Sequence, residues 1–177
     1  LRLPEDKLAG LIFHELAHQV VFVQDNATFN ESFARAVEIE GTLRWLKSRN
    51  DKSGLDRYQA SLKRADDFFS GVSTARAQLA ELYASAASPV LKEAEKGRIF
   101  GAMRAAHQQR KIEDPAWAGY DIWFEEELNN AKLAAVATYF DDVAMFRDLL
   151  KKQNGDFGAF YSAVRMRAAQ AGRIARG

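Results

Sequence analysis

The sequence predicts a mainly α-helical domain with a long antiparallel helical hairpin, and three observations carry that prediction. Alternating Val-rich runs are almost absent, which leaves little to form strands. Two long stretches, about 55–84 and 89–111, are rich in Ala, Lys, Arg and Glu, the residues that favour helices. The three prolines, Pro4, Pro89 and Pro115, are each followed by a helix-like pattern, as expected for proline in a first turn, where its missing N–H costs nothing.

The elements follow in order. A first helix is expected from about Pro4 to Val23, with Glu5 and Asp6 facing its N-terminal dipole. The loop QDNAT leads to a second helix that begins near Thr28 or Asn30 and runs to about Ser48, before the polar breaker RNDKSG. The third and fourth helices, about Leu55–Ala84 and Pro89–Lys111, are joined by the short SAASP turn, so an antiparallel hairpin over 55–111 is the natural arrangement. A fifth helix opens at Asp114-Pro115 and extends, with a possible break, to Phe140. A last helix or pair covers about Asp142 to Ala171, interrupted at NGDFG, and the basic tail RMRAAQAGRIARG reads as a solvated helix end.

A chain of 177 residues supports one domain with a sizeable core, here 1–177 with the metal site in 8–45 and C-terminal helices over 114–171. An apolar fraction of 47% with 28% charged residues is that of a globular protein. A net charge of +1 gives no reason to expect a nucleic-acid partner. Without cysteine, disulfides and thiolate metal sites are excluded. No apolar run of ~18 residues marks a transmembrane helix. The opening LRLPEDK, without Met, reads as the inside of a longer sequence.

The chemistry concentrates in LIFHELAHQVVFVQDNATFNESFARAVE, residues 11–38. At 100° per residue His14 and His18 share a helical face, with Glu15 beside them. Ile12, Leu16, Val20 and Val23 fall on the opposite side, with Phe13 nearby, so the helix is expected to bury that back and present His-Glu-His at the front. Imidazoles at i and i+4 can both reach a zinc ion, and the intervening glutamate of HExxH can act as general base. The metzincin continuation fails, because Val21 and Gln24 stand where glycine and histidine are required. The second helix offers Glu31 as third ligand, completing a His₂Glu set with one open position. Glu38, two turns on, is expected either to hold a ligand in place or to be a solvated charge. His107 lies in AAHQQRK, on a face that reads as solvated. Asn129 and Asn130 sit poorly in a helix interior, which points to a site-lining role, assigned to Asn130, or to a helix break.

HELAHQ followed by NESFA resembles the glutamate zincins, and the whole pattern resembles a bacterial family known as putative aminopeptidases. The similar segments are LPEDKLAGLIFHELAHQ, FNESFARAVEIEG, RWL and WFEEELNNAKLAAVATY, spanning Leu3 to about Arg167. The resemblance implies zinc held by His14, His18 and Glu31, Glu15 as catalytic base, and a peptide substrate. It also implies a longer parent protein of which this is the C-terminal half, located in the bacterial cell envelope, periplasmic or lipid-anchored. Zincins often stabilise the oxyanion with Tyr or His; Tyr120 and Tyr139 are the candidates, Tyr139 preferred, though each reads more readily as a packed core tyrosine. For a free substrate amine, Glu38 and the acidic run 125–127 are candidates. The alternatives to a zinc peptidase are a helical interaction module with a structural metal, its hairpin binding a partner, and an inactive fragment of the enzyme.

Overall fold

The computed structural model describes residues 4–174, with side chains described over 4–169; the ends of the chain, including the last part of the basic tail, lie outside the described residues. The architecture is mainly α, with no strand among the described residues. Its helices are α1 (Glu5–Val20), α2 (Ala27–Ser48), α3 (Lys52–Ala84), α4 (Pro89–Glu113), a 3₁₀ segment (Pro115–Tyr120), α5 (Asp121–Glu125), α6 (Asn130–Lys152) and α7 (Phe157–Ile174). Pro89 and Pro115 both stand in first turns. Three turn residues at positive φ, Asp25, Asn50 and Asn154, are all Asx, whose short polar side chains tolerate the left-handed region.

The chain divides into two compact units, one formed by Leu1–Ser61 with Thr138–Gly177, the other by Leu62–Ala137. In the first unit α2 is the central helix. Phe29, Phe33, Ala34, Ala36 and Val37 all bury, against Ala17 and Val21 on the α1 side and Phe146, Leu150, Phe160 and Val164 from α6 and α7. A helix buried on several sides loses the one-sided apolar stripe of a surface helix, and α2 distributes its apolar residues accordingly.

α1 packs on α2 through small residues. A Cβ built on Gly41 of α2 would lie 2.6 Å from Phe13 Cγ, and one on Gly10 of α1 would lie 3.2 Å from Thr42 Oγ1. This close approach corrects the expected orientation of α1. Gly10 and Ala17 are the residues it buries, whereas Ile12 and Leu16 of the supposed back are 49% and 55% exposed. Val20 and Val23 do pack, half-buried, against the core. The side that allows the shortest interaxial distance, and not the most apolar side, faces the neighbour.

In the second unit α3 and α4 form the expected antiparallel hairpin. Lys92 Nζ donates to Tyr83 O near the turn, and Arg64 Nη1 pairs with Asp114 Oδ2 at 3.0 Å at the far end. Beyond α4 the fifth expected helix takes the break foreseen for it, at 126–129. Asn129 caps the next helix, accepting from Lys132 N at 2.9 Å, so the Asn129-Asn130 pair marks a helix start. α6 then runs without interruption to Lys152, past the boundary expected near Asp142. His107 corrects a second expectation: it is 1% exposed, stacks on Phe124 at 4.2 Å and meets Asp121 Oδ1 at 2.7 Å. Gln108 and Gln109 are the solvated residues of that stretch.

Candidate metal centre

The histidines are brought to α2 by the α1 packing just described. Both stand half-buried, their rings edge to face at 5.0 Å. Glu31, just past the first turn of α2, faces both: its Oε2 lies 3.3 Å from His14 Nε2 and its Oε1 3.6 Å from His18 Nε2. One donor atom from each residue falls within 4.8 Å of the others. Donors about 2.0–2.2 Å from a tetrahedral zinc stand about 3.3–3.6 Å apart, and each imidazole stands at such a distance from one oxygen of the Glu31 carboxylate. His14 and His18 carry the nitrogens, and Glu31 the oxygens, that zinc accepts in the absence of thiolates.

The loop between α1 and α2 fixes Glu31. Asn26 caps α2, its Oδ1 accepting from Phe29 N at 3.1 Å. Asn30, 3% exposed, clamps the loop reciprocally: Val23 N donates to its Oδ1 at 2.8 Å and its Nδ2 donates to Val23 O at 2.8 Å. The side chain thus pairs with both polar groups of the Val23 backbone, whose carbonyl also accepts from Asn26 N at 3.4 Å. Asn30 was not among the residues read from sequence as functional. Its signal there was its place beside Glu31 in NESFA, where a buried polar side chain must have partners.

Behind the histidines stands Glu38. Its Oε2 lies 3.2 Å from His14 Nδ1, and its Oε1 accepts from Arg35 Nη1. The remaining His14 nitrogen, Nε2, therefore faces Glu31. Both Glu38 oxygens are thus engaged, one with His14 and one with Arg35. Close by, the hydroxyls of Thr42 and Tyr58 are both buried. Burial pushes the Tyr58 phenol up, against the nearby charge of Arg35.

Glu15 is exposed on α1 between the two histidines. Tyr139 belongs to the same unit: its carbonyl accepts from Ser32 Oγ at 3.4 Å. Burial raises its phenol above the ordinary value; the Arg35 charge opposes this, and the Glu38 and Glu31 charges reinforce it. Tyr120 lies in the second unit, stacked on Phe68 at 4.6 Å. Asn130 opens α6 in that unit, its Nδ2 donating to Tyr83 Oη at 3.1 Å, and the acidic run 125–127 is exposed there.

No helix among the described residues is long and apolar enough to cross a membrane. The sequence model of a family described as "Putative aminopeptidase" matches residues 1–173 of the chain. No curated protein and no solved structure matches it.

Proposed function

The chain belongs to the putative aminopeptidase family, and from that membership and the cluster on α1 and α2 we propose that it is a zinc-dependent peptidase, a glutamate zincin. The observation that carries the reading is the convergence of His14 Nε2, His18 Nε2 and the Glu31 carboxylate at separations of 3.3 and 3.6 Å. Three donors are the count of an open catalytic zinc site; a closed structural site takes four. That count favours catalysis over a merely structural metal in an interaction module. The family's description suggests peptides cleaved from their amino termini.

Zinc held by these residues would supply a Lewis acid that polarises a carbonyl and brings the pKa of a water toward ~7. The chain's own groups do the rest. Glu15, next to the ligands on α1, accepts the proton of the attacking water and returns it to the leaving amine. Glu38 accepts from His14 Nδ1, which fixes the tautomer that leaves Nε2 free for the metal. The Tyr139 phenol, raised by burial, stays protonated at neutral pH and so can donate to the oxyanion.

Elemental analysis of the purified protein, with unblocked peptides as substrates, tests the reading. The expected result is about one zinc per chain, lost in His14→Ala and Glu31→Gln. A metal-free wild-type protein, or a Glu15→Gln variant that hydrolyses peptides at the wild-type rate, would sink it.

A further inference from the structure

We infer that Arg35 is a positioning residue of the metal centre, acting on His14 through Glu38; the inference rests on the zinc reading above. Glu31, Arg35 and Glu38 stand at i, i+4 and i+7 on α2, so one helical face carries a proposed ligand, a cation and the carboxylate behind the other ligand. Glu38 divides its oxygens between two donors: Oε2 meets His14 Nδ1 at 3.2 Å, and Oε1 accepts from Arg35. The last torsion of a glutamate is broad, and one donor alone leaves the carboxylate plane free to turn. A second donor on the other oxygen fixes that plane and keeps Oε2 directed at the imidazole. On the opposite side Gly10 leaves little room, since a Cβ there would lie 3.4 Å from Glu38 Cγ and Oε1.

Charge acts in the same direction. The Glu38 side chain is only 19% exposed, and a partly desolvated carboxylate is unfavourable unless it is paired. A neighbouring pair on the same helix supplies the contrast. Arg44 Nε meets Glu40 Oε1 at 2.7 Å, with side chains 43% and 33% exposed. Among the described residues Glu40 pairs with Arg44 and with none of the proposed ligands. A solvated pair of that kind contributes little, whereas Arg35 holds a group that touches a proposed ligand.

The experiment measures zinc affinity of the apo protein by competition with a chromophoric chelator, with far-UV circular dichroism checking that each variant is folded. Loss of a partner one shell out from a metal ligand weakens binding roughly 10- to 100-fold. Arg35→Gln should weaken zinc about 10-fold, Arg35→Lys should recover part of that loss, and Arg44→Gln should bind like wild type. Because Arg35 acts through Glu38, the double variant Arg35→Gln/Glu38→Gln should bind no more weakly than Glu38→Gln alone. Arg35→Met, which keeps the packed stem, replaces Arg35→Gln if the latter does not fold. Wild-type affinity in the neutral Arg35 variants, or losses that multiply in the double variant, would overturn the inference while leaving the zinc site standing. A wild-type protein that binds no zinc, or binds it equally well as His14→Ala, would overturn the zinc reading and this inference with it.

Discussion

Two Gly→Ala substitutions should change stability in opposite directions, and the packing of α1 on α2 sets the sign. In a helix interior the exchange ordinarily stabilises by roughly 0.5–1 kcal/mol, because glycine loses more backbone freedom on folding. Gly101 of α4 has no heavy atom within 4 Å of a built Cβ, so Gly101→Ala should show that gain. At Gly41 the same methyl would stand 2.6, 2.8 and 3.0 Å from Phe13 Cγ, Cδ2 and Cδ1. The nearest atom is the root of a ring, which cannot retreat without moving the whole side chain or the helix. Overpacking of this kind costs about 1–3 kcal/mol, so after the propensity gain Gly41→Ala should lose about 1–2 kcal/mol. With a urea slope of about 2 kcal/mol/M, the midpoint should fall by about 0.5–1 M. Phe13 adjoins His14, so zinc affinity should also fall in Gly41→Ala and stay unchanged in Gly101→Ala. Equal rises in midpoint for both variants would refute the close-packing account.

Glu15→Gln should keep its zinc and lose peptidase rate by roughly 10²- to 10⁴-fold, the contribution of a positioned base; metal analysis beside a peptide assay separates the two effects. Tyr139→Phe should bind zinc normally and lose kcat by about 10²-fold if the phenol stabilises the oxyanion, and an unchanged kcat would reassign it to packing. Asp121 governs an acid limb: Lys111 first, and then His107, hold its carboxyl below the ordinary range by hydrogen bonding. A carboxyl lowered in the native state contributes stability that is complete above its unfolded value of ~3.9 and is lost as pH falls through the native value. Thermal melts of Asp121→Asn against wild type should therefore differ at neutral pH and converge in acid; a constant difference across that range would count against the pairing.

The parts of the site that periodicity controls were legible, and the parts that three-dimensional packing controls were not. His14 and His18 had to share a face, because i and i+4 always do on a helix. Glu31 was expected to face the histidines from the next helix, and Glu38 either to hold a ligand or to be a solvated charge; both meet His14 in the fold. The wheel failed on α1, because it equates apolar with buried. Gly10 and Ala17 allow α2 to approach, and so they chose the packed side, leaving Ile12 and Leu16 exposed. His107 failed for a related reason: its solvated neighbours are adjacent in sequence, while the Phe124 ring that covers it arrives from another helix. Arg35 shared a face with Glu31 and Glu38, yet an arginine there is ordinarily a solvated charge. Only the division of the Glu38 carboxylate between Arg35 and His14 distinguishes it, and that is a fact of side-chain direction that no spacing rule contains.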